Sequence, residues 1–424
     1  MTHMSLQERD KKHLWHPLTQ HKLHPETIAI TKAKGCVLTD ENGNNYIDAI
    51  ASWYTCMYGH CNDYITSRVS TQMQQLDQVV FSGFTHEPAI KLSEALIKIL
   101  PNNQNKIFFS DNGSTSVDVG IKMALQYHFN NGEKHNTLIA FEDGFHGDTF
   151  GAMSVSGLSV YNGPFEDYFL DVKRIPTPNG ENHEAILKAL QDIIANNKVA
   201  GFVYEPLVQG ASAMKMHDAS GLNSILQFCK ENNVITVADE VMTGFGKTGK
   251  HFASFYMETK PDIMCLSKAL TGGLLPMALT TCSQDIYDVF YSDDISKGLF
   301  HGHTYSANPL ACTAALASIE LLRSEDIQNN INAITASHQV FGNHIKNHPK
   351  VKSIRQMGII FALDLNVEMQ RYGNLRDKLF KFFMENGVFL RPLGNTIYIQ
   401  APYVITKEQL QKVYQVIEDA LEIL

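Results

Sequence analysis

The chain has 424 residues, of which 44% are hydrophobic and 19% charged, with a net charge of −9. This is the balance of an ordinary globular protein of about two or three domains, and its acidity argues against a general nucleic-acid surface. No apolar run reaches the roughly 18 residues of a membrane span, and MTHMSLQERDKK lacks the apolar core of a secretory signal, so a cytoplasmic protein is expected.

The first 60 residues contain a hairpin-like unit, GCVLTDENGNNYIDAI (35–50), with turn chemistry at Asn42-Gly43-Asn44. The middle of the chain alternates apolar strand-like runs with helical patterns. The runs are KIFFS (106–110), TLIAF (137–141), AGFVYE (200–205), ITVAD (235–239), DIMCLS (262–267) and MALTTC (277–282). Between them, SVDVGIKMALQYHF (116–129) and GLNSILQFCKEN (221–232) have helical apolar spacing. Such alternation predicts an α/β fold with a largely parallel sheet covered on both faces, and ligands beyond the carboxyl ends of its strands. The last hundred residues read as a long helical stretch (about 309–347), then strands FALDL (361–365) and TIYIQAP (396–402) flanking helices. The simplest organisation is a large domain at 61–315 and a smaller α+β domain made from 1–60 and 316–424.

Seven cysteines, several inside apolar runs, suit reduced buried thiols better than a disulfide framework. Cys56…His60-Cys61 and His301-Gly302-His303 have the residue types of a metal site, but neither has a further ligand at a zinc spacing. No metal is expected.

The stretch ADEVMTGFGKTGKHF (238–252) holds two phosphate-loop patterns at once. Both need an anion at backbone N–H groups opening a helix, yet Asp239 and Glu240 stand where it would settle. The magnesium-binding hydroxyl of a P-loop is replaced by His251, and Pro261 soon stops the following segment. Neither pattern is a phosphate loop on this reading.

A better phosphate site is Asn112-Gly113-Ser114-Thr115, which follows KIFFSD and opens a helix, although helix capping alone also explains it. At the other strand ends stand Phe145-His146, Glu205, Asp239-Glu240 and Lys268. A lysine at the end of a buried strand is costly to desolvate, and burial frees its amine to attack carbonyls. A helix-start phosphate site, a ring, a buried acid and such a lysine are together what pyridoxal phosphate needs.

The segment ADEVMTGFGKTGKHFASFYMETKPDIMCLSKALTGG is similar to the signature of class III aminotransferases, which are fold type I pyridoxal phosphate enzymes. The resemblance extends through LWHPLTQH (14–21), FSDNGSTSVDVGIKMALQYH (109–128), GFHGDTFGAMSVSG (144–157), EPLVQGASAM (205–214), HGHTYSANPLACTAALASIELL (301–322) and LRPLGNTIYIQAPY (390–403). LWHP, HGDTFGAMSV and RPLGN…IY look most like the branch that aminates 8-amino-7-oxononanoate in biotin synthesis, with S-adenosylmethionine or lysine as donor.

The resemblance implies that Lys268 would carry the cofactor and move the proton of the reaction, while Asp239 would bind the pyridine nitrogen. Gly113 and Ser114 would hold the phosphate; Phe145, His146, Glu205 and Val241 would surround the ring. Thr304 would reach the phosphate of a neighbouring subunit, making the enzyme a homodimer. Arg391 would pair with the substrate carboxylate, and Trp53, Tyr54 and the backbone at Gly302 would line the substrate channel. Without the family, Trp53 reads as a core residue and Arg391 as half of a surface salt bridge.

Four positions depart from the family pattern: Phe145 and Leu18 replace Tyr, Lys247 replaces Arg, and His303 stands where some members have Pro. All four are expected to fall on the pocket that the two substrates share. The alternatives are an ω-amino acid aminotransferase of the same class, an aminomutase, a nucleotide-binding protein built on Gly244–Lys250, and a catalytically dead relative.

Overall fold

The computed structural model describes residues 4–23, 27–159, 162–367 and 374–424. Its central sheet has seven strands: β1 (Gln104–Ser110), β2 (Thr137–Phe141), β3 (Asp171–Ile175), β4 (Val199–Tyr204), β5 (Ile235–Asp239), β6 (Ile263–Leu266) and β7 (Ala278–Ser283). Their spatial order is β1-β7-β6-β5-β4-β2-β3. Every residue of β2, β4, β5 and β6 is buried, as expected of strands covered on both faces.

The strands from β3 across to β6 pair in parallel, whereas β7 is antiparallel to both β6 and β1. The reversal follows from chain length. Parallel neighbours need a crossover of roughly a dozen or more residues, usually a helix. Only a single 3-10 turn, Lys268–Thr271, lies between Leu266 and Ala278.

The N-terminal hairpin forms as Val37–Asp40 and Asn45–Asp48, and the Asp40 carboxylate closes its turn by accepting from the amides of Asn42 (2.9 Å) and Asn44 (2.8 Å). Ile30–Lys34 adds a third strand, and Val388–Phe389 pairs in parallel with Ile47–Asp48. The two ends of the chain thus share one sheet. A second small sheet holds Val351–Met357, Ile360–Leu365 and Thr396–Ile399.

The long helical stretch expected at 309–347 is two helices, Pro309–Leu322 and Glu325–Ile345. The hydroxyl of Ser324 caps the second by accepting from the Ile327 amide, while Glu325 and Asp326 add negative charge to its first turn. All seven cysteines are free, and only Cys61 is exposed.

Candidate active site

The predicted cluster forms at the carboxyl ends of the strands. Beyond β1, Asn112 Oδ1 accepts from the Thr115 amide at 3.0 Å and starts the helix Gly113–Asn130. The capping reading is therefore correct, but it uses one amide only. Those of Gly113 and Ser114 belong to the first turn and have no acceptor within the helix. Ser114 Oγ lies 2.6 Å from Thr149 Oγ1 and accepts from the Thr149 amide at 3.0 Å. Gly147, with φ 127°, lets that loop close in, because a Cβ there would lie 2.3 Å from Ser114 Oγ. A Cβ on Gly113 would lie 2.9 Å from Val241 Cγ1, so the helix start rests directly on the segment after β5.

Asp239 closes β5, and its Oδ1 accepts from the Val241 amide at 3.0 Å. Its Oδ2 lies 2.8 Å from His146 Nδ1, and both residues are buried. Glu205 follows β4 and is also buried; its two oxygens accept from the amides of Phe145 and Gly210, each at 2.9 Å. Burial raises the Glu205 carboxyl to about 7, with His146 opposing and Asp239 reinforcing the shift. The Phe145 ring, whose backbone Glu205 holds, is itself exposed.

Glu240 does different work from its neighbour. Its carboxylate accepts from the Thr243 and Ser254 hydroxyls and from the amides of Ala253 and Ser254, at 2.6–3.0 Å. The glycine run is thereby folded into a buried turn followed by one 3-10 turn, Ala253–Tyr256, with no helix start for a phosphate. Lys247 is wholly buried there and donates to the Gly244 carbonyl at 2.9 Å. This overturns the expectation that Lys247 faces the substrate pocket.

Lys268 is part-buried and sits just past β6 in the left-handed region, with φ 51°. Burial lowers its amine, while Asp239 and Glu205 pull it back up. The Nζ lies 5.1 Å from the centroid of the Tyr54 ring. Tyr54 packs beside Tyr398, their centroids 5.9 Å apart, and the Arg391 guanidinium lies over Trp53 at 4.9 Å. Trp53 is not a core residue, being 39% exposed, and Arg391 joins no ion pair among the described residues. Both facts overturn the family-free readings of these side chains.

Gly302 and Thr304 are not gathered into this cluster. They lie in an exposed loop where Gln78 Nε2 donates to the Thr304 carbonyl at 3.0 Å. In the same loop the Nε2 atoms of His301 and His303 are 3.0 Å apart, and Lys122 Nζ lies 3.0 Å from His301 Nδ1. Leu18 is also exposed.

Sequence reasoning missed three neighbours. Gln209 is fully buried, and both ends of its amide, like His146 Nε2, lack a hydrogen-bond partner among the described residues. Its signal was a glutamine inside an otherwise buried segment. Tyr398 was hidden in a strand pattern. The third, Asp48, looked like the end of a hairpin. One group of potential metal ligands went unnoticed too, at His128, Glu133 and His135. Its two imidazoles stack face to face at 3.8 Å and 12°, so their lone pairs lie in separate, nearly parallel planes.

These residues fit pyridoxal phosphate. Free first-turn amides stand in a cradle that a Cβ at Gly113 or Gly147 would fill, beside a buried acid and an amine that joins no ion pair among the described residues.

A family model described as aminotransferase class-III matches residues 18–421. The chain is similar to an adenosylmethionine-8-amino-7-oxononanoate aminotransferase of Synechococcus elongatus, with 40% identity over 97% of this chain and 98% of the relative. A crystal structure of an enzyme of the same name from Methanocaldococcus jannaschii aligns with a TM-score of 0.94 and 31% identity, covering 98% of each chain. An omega transaminase from Pseudomonas jessenii, solved in complex with PMP, aligns with a TM-score of 0.90 and 26% identity, over 99% of this chain and 98% of its own.

Proposed function

The chain belongs to the class-III aminotransferase family of pyridoxal phosphate enzymes, and we propose that it transfers an amino group to 8-amino-7-oxononanoate, giving 7,8-diaminononanoate for biotin synthesis. S-adenosylmethionine is the proposed donor, with lysine the alternative. Arg391 is the observation that carries the substrate reading. Its guanidinium has no ion pair among the described residues and lies over Trp53, beside the aromatic wall that leads to Lys268. A planar guanidinium there suits a carboxylate, and the aromatic rings between suit an alkyl chain.

The bound cofactor supplies an electron-accepting ring next to the amine being transferred. Asp239, backed by His146, would hold a proton on the ring nitrogen, and the amides of Gly113 and Ser114 would hold the phosphate. Phe145 would cover one face of the ring and Val241 the other, while Glu205 fixes the Phe145 backbone. Lys268 Nζ, with its basicity lowered by burial, would carry the proton to and from the substrate carbon.

We further propose a cytoplasmic homodimer. Phe300 and Tyr305, 74% and 62% exposed, flank Gly302 and Thr304, which suits a loop covered by a second copy and reaching its phosphate. No helix of the described residues is long and apolar enough to cross a membrane. The division into 61–315 and a smaller domain from 1–60 and 316–424 is supported by the pairing of Ile47 with Val388.

Assaying 8-amino-7-oxononanoate with S-adenosylmethionine, with lysine, and with neither tests this reading. Diamine formation with one donor and none without it is expected; turnover of the oxononanoate alone to an isomer, its amino group moved to the neighbouring carbon, would point to an aminomutase. The second reading, an ω-amino acid aminotransferase of the ornithine, 4-aminobutyrate or β-alanine type, is favoured by the likeness to the omega transaminase. It predicts turnover of those amines and none of the oxononanoate.

A further inference from the structure

Trp53 and Tyr54 occupy a backbone conformation that L-residues avoid. Ala51, Ser52, Trp53 and Tyr54 have φ values of 47°, 46°, 65° and 71°, so four successive non-glycine residues make a left-handed turn. Each such residue is strained, and the strain persists only where the surroundings over-determine it.

Asp48 supplies that constraint. It is completely buried, and its Oδ1 accepts from the Ile50 amide at 3.2 Å. Its Oδ2 accepts from Ser52 Oγ at 2.9 Å and lies 2.8 Å from His60 Nε2. Burial disfavours the His60 imidazolium, yet Asp48 and Cys56 outweigh it and raise the group to about 10. His60 is itself anchored through its backbone, exchanging hydrogen bonds of 3.0 and 2.7 Å with Gly35. The turn is closed locally by bonds from the Tyr54 amide to Ile50 and from the Thr55 amide to Ala51, both 2.9 Å. What it presents is the Trp53 ring beneath Arg391 and the Tyr54 ring beneath Lys268.

We propose that Asp48 and His60 are positioning residues for the substrate: the pair grips Ser52 and so holds the left-handed turn that aims Trp53 and Tyr54 into the pocket. The proposal rests on the reading of Trp53, Tyr54 and Arg391 as the substrate wall. The strain then has a purpose, since a relaxed turn would swing both rings away from the two cationic side chains.

Replacing His60 leaves a buried carboxylate unpaired and risks unfolding, so the decisive variant is Ser52→Ala, which cuts the grip and leaves the pair intact. The chain has two tryptophans. In a Trp15→Phe holoenzyme, therefore, emission reports on Trp53 alone. Ser52→Ala should make Trp53 more readily quenched by acrylamide and weaken 7,8-diaminononanoate binding, read from cofactor absorbance, by about tenfold, the worth of a hydrogen bond to a charged group. Cofactor content should not change. Unchanged quenching and binding would overturn the proposal, and so would a lower melting temperature with both unchanged. If the parent itself ignores the diamine, the substrate reading falls, and Trp53 quenching alone decides the clamp.

Discussion

His146 Nδ1 lies 2.8 Å from Asp239 Oδ2, with both side chains closed off from solvent. The acid at the end of β5 is thus held from two sides, by an imidazole and by the Val241 amide. Asp239→Asn keeps a carbonyl oxygen for Val241 but removes the charge. We expect it to fold, to bind cofactor, and to lose roughly 10²-fold or more in kcat, as groups that stabilise developing charge do. Steady-state kinetics with a melting curve checks both parts.

Lys268 sits in a left-handed conformation with a part-buried amine, neither of which stabilises a fold. Lys268→Ala should therefore melt no lower than wild type, yet lose the visible band and roughly 10²–10⁴-fold or more of activity. Retained activity would remove Lys268 from the chemistry.

Gly147→Ala puts a Cβ where Ser114 Oγ now lies, at a φ of 127° that alanine resists. The loop must move off the helix start. Cofactor dissociation, followed by absorbance on dilution, should be at least about tenfold faster, with a lower melting temperature, since strained positions cost roughly 1–3 kcal/mol.

The Asp48–His60 pair sets a pH dependence. His60 is raised above its unfolded value of 6.5 to about 10, so its contribution is fully present below 6.5 and is lost as pH rises through 10. The melting-temperature gap between wild type and His60→Gln should be wide at pH 6–7 and narrow toward pH 10–11. A gap that widens with pH would contradict the assignment.

Arg391→Ala should raise KM for the oxononanoate far more than it lowers kcat, because loss of one partner of a charged hydrogen-bonded pair costs roughly 2–5 kcal/mol in binding. Arg391→Lys should recover only part, lacking the planar fork. Equal KM values in all three would place the substrate carboxylate elsewhere.

The chemistry was legible where it stands next in sequence to a buried strand. Asp239, Glu205 and Lys268 each end or follow a run whose burial could be read directly, so the structure finds them at the carboxyl ends of neighbouring strands. Strand direction was not legible, because the apolar pattern of Ala278–Ser283 has no arrow; the short connection before it does. Ile30–Lys34 was missed because it is largely exposed. The break at Ser324 was marked only by a short polar cap, Ser324-Glu325-Asp326, between Leu322 and Ile327. Contacts between distant segments left no local trace. His146 with Asp239, and Asp48 with His60 beneath a strained turn, arise only when the fold brings the partners together.

The most direct measurement is the visible spectrum of the purified holoenzyme during titration with 7,8-diaminononanoate, the proposed product. Conversion of the yellow band at low diamine concentration is the predicted result, joining cofactor, Lys268 and substrate in one observation. A band that is present but unmoved by the diamine would leave the aminotransferase standing and contradict the biotin-pathway substrate.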